Sequence, residues 1–277
     1  QVAKDNFITS GNNRVILATD GDFNVGASSE GELIRLIEEK REGGVFLTVL
    51  GFGTGNYKDS KMEQLADKGN GNYAYIDNIL EAKKVLVQEM GGTLLTIAKD
   101  VKIQIEFNPA KVKGYRLVGY ENRVLANEDF NDDKKDAGEL GAGHTVTAIY
   151  EIIPAGSDEE MASVDPLKYQ RTTVNTSIAT DEILTVKFRY KEPNENVSKL
   201  ITTVVADKRK NLSSSSENLR FASAVAEFGM VLRDSKFKGN ADFKSVLALA
   251  KNSKGKDVEG YRAEFIRLVE MAELLKK

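Results

Sequence analysis

The spacing of apolar residues changes near residue 95, and this change limits what the chain can fold into. Before it, apolar residues come in short unbroken runs or at helical spacing. After it, they alternate with polar residues. Val15-Ile16-Leu17-Ala18 and Val45–Leu50 are unbroken runs, the pattern of strands buried on both faces of a parallel sheet. Between them, Ser28-Ser29-Glu30 starts a helix, Leu33, Leu36 and Ile37 continue it, and Gly43-Gly44 stops it. A second helix is predicted over 59–67 with Met62, Leu65 and Ala66 inward, followed by a turn at Asn70-Gly71-Asn72 and a strand at Tyr73-Ala74-Tyr75-Ile76. Asp77 or Asn78 then caps one helix carrying Ile79, Ala82, Val85, Leu86 and Met90, which Gly91-Gly92 ends. The order β-α-β-α-β-α predicts a parallel sheet with helices on its faces.

Past residue 95 the period is two. Val101, Ile103, Ile105 and Phe107 alternate with Lys102, Gln104 and Glu106. Val146, Ala148, Tyr150 and Ile152 repeat the pattern, as do Leu184, Val186, Phe188 and Tyr190. Tyr115–Tyr120 and Leu200–Val205 are further strands. Such alternation marks half-buried antiparallel strands, here in a β-sandwich-like arrangement. Asn127–Asp136 and Gly156–Asp165 read as exposed loops. Three helices close the chain, opened by the serine run Ser213–Ser216. The first places Leu219, Ala222, Val225, Gly229 and Leu232 on its inward face, and the last Tyr261, Phe265, Leu268, Ala272 and Leu275. The expected fold class is therefore α/β plus β-rich. A partial Rossmann-like parallel sheet spans 1–94, an antiparallel β-rich domain 95–212, and a helical segment packed on it 213–277.

Composition removes several function classes. With no cysteine and one histidine in 277 residues, thiolate zinc sites, a cysteine nucleophile and multi-histidine metal centres are excluded. A net charge of -3 with mixed signs gives no footprint for nucleic acid. No apolar run approaches the roughly 20 residues of a membrane span. The chain opens on Gln1-Val2-Ala3 and reads as an internal fragment.

The segment with most chemistry is the run that ends in Thr19-Asp20-Gly21-Asp22. A strand ending in Asp sets a carboxylate at the carboxyl edge of a parallel sheet, where open α/β sheets bind ligands. A carboxylate there suits Mg2+ or Ca2+. "RVILATDG" resembles the third metal-site motif of von Willebrand factor A-type (VWA) domains, and "VFLTVLGFGTGNYKDSKMEQLADKGNGNYAYIDN" resembles the end of such a domain. "TDGDFNVG", "LGAGHTVTAIYEIIP" and "FASAVAEFGMVLRDS" are similar, in that order, to bacterial VWA proteins of the YfbK type.

The resemblance implies a metal-ion-dependent adhesion site to which this chain brings only its third part, because no Asp-x-Ser-x-Ser occurs in it. Asp20 would be the metal ligand of that incomplete site, with Thr19, Gly21 and Asp22 beside it. Mg2+ or Ca2+ would bind in the full-length protein and none in this stretch. The implied role is non-enzymatic binding of a protein partner, the rival being a metal-independent scaffold of an envelope complex. The resemblance also implies an extracytoplasmic bacterial location, with a lipid anchor outside this chain. With the first half of a VWA sheet absent, Val15-Ile16-Leu17 and Val45–Leu50 would each have an unpaired neighbour, open to pairing with another chain.

Other candidates read as structural. Asp20, Asp22 and Asn24 open like an EF-hand loop, but Val25 stands where glycine is required and Gly31 where the bidentate Glu is required. Gly51, Gly53 and Gly55 lack the residues of a phosphate loop. His144 has no visible catalytic partner, and Asp132–Asp136 and Asp158-Glu159-Glu160 read as solvated surface. Tyr115, Tyr120, Tyr150 and Tyr190 read as cross-strand pairs.

Overall fold

The computed structural model describes residues 1–9, 11–20, 30–53, 58–120, 124–135, 137–159, 181–193, 195–208 and 210–276. They fall into two compact units. One comprises Gln1–Gln104, Leu125–Thr145 and Val186–Thr203, and the other Ile105–Val124, Val146–Thr185 and Val204–Lys277.

The first unit begins with a short helix, α1 (Val2–Asp5), and a parallel sheet of three strands in the order β1 (Asn13–Thr19), β2 (Val45–Phe52), β3 (Tyr73–Ile76). Helices α2 (Glu30–Glu42) and α3 (Asp59–Lys68) connect them. Register runs Asn13↔Val45 to Thr19↔Gly51, and Val49↔Tyr73 to Phe52↔Ile76. The core forms where β2 meets α2 and α3: Ile37, Val49, Met62, Leu65 and Ala66 are buried, with Leu33, Ile34, Leu47 and Tyr73 against them. Met62, Leu65 and Ala66 are the inward residues that helical spacing predicted. Gly71 lets the chain return close to β2; a Cβ there would lie 1.7 Å from the Leu47 carbonyl oxygen.

Two expectations for this sheet are corrected. Val45–Leu50 has no unpaired neighbour, because β2 lies between β1 and β3. β1 is not buried on both faces: it pairs with β2 alone among the described residues, and Val15 and Ile16 remain 40% and 43% exposed. The third helix also differs. Asn78 caps it as expected, accepting from the Leu80 and Glu81 N–H groups, but α4 (Ile79–Lys83) gives way to a π turn at Lys84–Gln88. A further helix, α5 (Met90–Leu94), runs through Gly91-Gly92, so these glycines do not end the helical stretch. Ile79 and Leu80 lie outward, and Val85 is buried with Leu50 and Ile76.

The next strands are β4 (Thr96–Phe107), β5 (Val112–Val118), β6 (Gly138–Gly141), β7 (Ile149–Pro154), β8 (Glu182–Lys191) and β9 (Lys199–Ala206). They form a four-stranded sheet, β6-β4-β8-β9, and a two-stranded antiparallel ribbon, β5-β7. The period-two pattern located β4, β7 and β8, and the further candidate strands match β5 and β9, but the short β6 was not expected. In β4 the simple alternation fails: Lys102 is 3% exposed, while Ile97 and Ile103 are 48% and 50% exposed. The β4–β6 register shifts on either side of Ala98, and Asp100 adopts a left-handed backbone, φ 51°. A bulge of this kind moves the following side chains to the opposite face.

The chain ends in α6 (Glu217–Leu232), α7 (Phe243–Asn252) and α8 (Tyr261–Leu275). Ser216 caps α6, accepting from the Leu219 N–H at 3.2 Å, and Asp242 forms a capping box with Ser245. The inward face expected for α6 is corrected, and that expected for α8 holds at Phe265 but not at its leucines. Leu219, Val225 and Leu232 are 45%, 44% and 52% exposed, and Leu268 and Leu275 also point outward. The three-helix core uses Ala224, Val231, Val246, Ala250, Ile266 and Val269, with Phe221, Phe228, Phe243 and Phe265 around them. The phenylalanines meet edge-on, with centroids of 5.3 Å for Phe221–Phe265 and 5.5 Å for Phe228–Phe265. Both faces of α6 are apolar, and the one carrying aromatic rings buries more area per residue.

Candidate functional site

Parallel register brings the carboxyl ends of β1, β2 and β3 to one edge, in the row Thr19–Gly51–Tyr75. Asp20, Gly53 and Asp77-Asn78 are the residues that follow. Asp20 is exposed and Thr19 half-buried, and both hold interactions within the chain. Gly53 has φ 90°, a conformation that disfavours any other residue, and a Cβ there would contact the Asp20 Cβ at 3.7 Å. The Tyr75 hydroxyl donates to the Gly53 carbonyl at 2.5 Å, and the Tyr73 hydroxyl donates to the Asp59 carboxylate. Asn78 donates from its side-chain amide to Asp77 at 2.8 Å while capping α4. A tyrosine hydroxyl thus holds Gly53 beside Asp20, and Asn78 orders the turn that follows β3.

Gly21, Asp22 and Asn24 lie outside the described residues, as does Gly55. Among the described residues, no group of three or more His, Asp or Glu could hold a metal ion. Mg2+ and Ca2+ take about six or more oxygen ligands, and one carboxylate beside one hydroxyl does not supply them. The residues described here do not, by themselves, fit a divalent cation. His144 is exposed, and its backbone N–H donates to the Gly141 carbonyl at 3.1 Å, closing a turn.

Periodicity did not reveal a polar network in the same unit. The buried Lys102 ammonium donates to the carbonyls of Asp129 at 3.0 Å and Asp132 at 2.5 Å. Lys191, 7% exposed, pairs with Asp100 and donates to the Asp133 carbonyl at 2.7 Å. The Asp133 carboxylate accepts from Ser198 at 2.5 Å and Arg189 at 2.8 Å. The Ser198 hydroxyl, then the Arg189 guanidinium, holds the Asp133 carboxyl down to about 2. Burial pulls the Lys102 ammonium below its ordinary value, and the Asp100 carboxylate opposes this. The segment expected as an exposed loop over Asn127–Asp136 is exposed at most of its described residues, but its carbonyls accept from the buried Lys102 and Lys191, and Phe130 is 5% exposed. The available signal was Lys102 and Lys191, two lysines within strands that reach a nearby run of aspartates.

A further basic residue is partly enclosed on the parallel sheet. Arg14 donates to the Thr48 hydroxyl at 2.8 Å and the Thr96 hydroxyl at 3.2 Å, with its guanidinium 5.5 Å from the Phe46 ring centre. Burial lowers its pKa and the nearby Glu139 charge raises it. In the other unit, Arg116 of β5 donates from Nε to Glu151 of β7 at 2.5 Å and lies 4.1 Å over Phe237. Phe107, Tyr115 and Tyr150 gather nearby on the strands, as cross-strand pairing predicted for the two tyrosines.

The family described as "Uncharacterized protein YfbK, C-terminal" matches residues 92–275. The chain belongs to the YfbK family. "Uncharacterized protein YfbK" of Escherichia coli (strain K12) is 44% identical over 274 residues, 99% of this chain and 47% of that protein. The chain therefore spans less than half the length of this YfbK relative. Two solved structures bear a loose likeness to it. One is a von Willebrand factor type A protein from Catenulispora acidiphila, 14% identical, with a TM-score of 0.37 over 92% of this chain and 57% of that one. The other is the human COPII-coat protein Sec24c, 12% identical, with a TM-score of 0.40 over 86% and 32%. No helix among the described residues is long and apolar enough to cross a membrane.

Proposed function

We propose that this chain is the C-terminal half of a non-enzymatic protein-interaction module, which engages a protein partner at the carboxyl edge of its parallel sheet. The observation carrying this reading is the convergence of Asp20, Gly53 and Asp77-Asn78 at one edge, with a hydroxyl contact to Gly53 and an amide contact to Asp77. Open parallel sheets bind ligands at that edge. The chain's single histidine closes an exposed turn, which favours binding over hydrolysis.

In the full-length protein, residues beyond this chain would supply the remaining oxygen ligands, and Mg2+ or Ca2+ would then link Asp20 to an acidic partner in the manner of a metal-ion-dependent adhesion site. Thr19, Gly21 and Asp22 would flank the ion. The rival reading is a metal-independent scaffold of a bacterial envelope complex. An extracytoplasmic location, with a lipid anchor outside this chain, belongs to both. The side of β1 that has no strand partner among the described residues is a second contact surface, where another chain would add a strand.

The test is calorimetric titration of the full-length family protein with Mg2+, using Asp20→Ala as control. Saturable heat that the variant lacks supports the metal-dependent reading. No heat, or equal heat from the variant, leaves the scaffold.

A further inference from the structure

The second unit contains a cleft of about 450 Å³, whose walls include Glu151, Glu227, Met230, Phe237, Lys238 and Asn240. Three of these side chains carry charge. Glu151 is neutralised by Arg116, and Lys238 by Asp234 four residues earlier. Glu227, on α6, has no hydrogen bond or ion pair among the described residues. Burial alone pushes its carboxyl above the usual carboxylate range; no neighbouring cation offsets it. A half-buried carboxylate without a counter-ion is an unfavourable arrangement unless a cation arrives to satisfy it.

The cleft already shows how it holds a cation. Arg116 sits with its guanidinium on the Phe237 ring, against Glu151, with one nitrogen 3.3 Å from the Met230 sulfur. Lys236 lies 4.9 Å from the centre of the same ring. Carboxylate, aromatic face and thioether together favour a cation with an aliphatic stem, since ring and sulfur cover the stem while the carboxylate meets the head. Glu227 repeats the acidic half of this arrangement without its basic half. The cleft volume is within the range that small-molecule sites occupy.

We propose that this cleft binds an alkyl-ammonium or guanidinium cation, with Glu227 as its counter-ion. A free amine and a lysine or arginine side chain on a polypeptide both present this chemistry. The site is separate from the sheet edge around Asp20, so its test does not depend on that reading.

The experiment follows backbone amide NMR shifts at Gly239, Asn240 and Ala241 at constant ionic strength. Two probes are used: agmatine, and a short unstructured peptide with one arginine. Saturable shifts with either probe support the site, and the probe that binds more tightly names the source. Glu227→Gln keeps the side chain's shape, relieves its burial cost, and weakens binding at least tenfold. Shifts that do not saturate with either probe overturn the proposal. So does binding by Glu227→Gln within twofold of the parent, with amides elsewhere unchanged.

Discussion

At the scale of single residues, the chain concentrates its buried charge in one place. Lys102, Lys191 and Arg189 meet Asp100, Asp133 and the carbonyls of Asp129 and Asp132. Removing one partner from such a network leaves a buried charge uncompensated. The Asp133 carboxyl is held at about 2, well below the value near 3.9 that a free aspartate has in an unfolded chain. A depressed folded-state pKa contributes stability above the unfolded value, and this is lost as pH falls through the folded one. We therefore expect the urea midpoint to drop between about pH 4 and pH 2. Asp133→Asn should show a shallower acid limb over that window, and an unchanged limb would show that other carboxylates control it. The place of Asp20 just after β1 was legible because an unbroken apolar run ending in Thr-Asp-Gly marks where a strand stops. Lys102 was not, because alternation assigns lysine to the wet face and cannot register the bulge at Asp100 that turns it inward.

At the scale of elements, helix positions were easier to read than helix faces. Glycines marked the end of α2 and the serine run the start of α6, since these residues act locally. The inward face of α6 was misassigned because two apolar stripes run along the same helix, and only packing against Phe243 and Phe265 decides between them. The two faces should respond differently to substitution. Val225→Lys on the outer face should change unfolding free energy by no more than about 0.5 kcal/mol. Phe228→Ala should cost about 3 kcal/mol. Gly229→Ala should stabilise by about 0.5–1 kcal/mol, because a Cβ there meets nothing within 4 Å. Denaturant unfolding of the three variants is the check, and a cost for Val225→Lys matching that of Phe228→Ala would reverse the assignment. The π turn at Lys84–Gln88 left no signal in periodicity, which counts residues as though each advanced the helix equally.

At the scale of the whole molecule, the change of period near residue 95 was the most informative feature. It separated a parallel sheet with helices from antiparallel strands, and both are present. How the antiparallel sheets stack was not legible, because period two reports one wet and one dry face without naming what covers the dry one. The exposed side of β1 suggests behaviour in solution. Strand edges with apolar neighbours recruit other strands. Sedimentation equilibrium of the 277-residue chain should show concentration-dependent association, which Ile16→Lys reduces. A monomer at every concentration would remove the edge as a contact surface.

Arg14 adds a dimension of time. Its partners Thr48, Thr96 and Glu139 lie further along the chain. At synthesis rates of ~5–20 residues per second, roughly 6–25 s pass between the making of Arg14 and of Glu139. Until Thr48 is made, the guanidinium lacks its first partner and is a charge next to the apolar Val15-Ile16-Leu17, the place that gatekeeper residues occupy. The residue that joins β1 to β2 in the fold is therefore also a flanking charge on an apolar run before the fold exists.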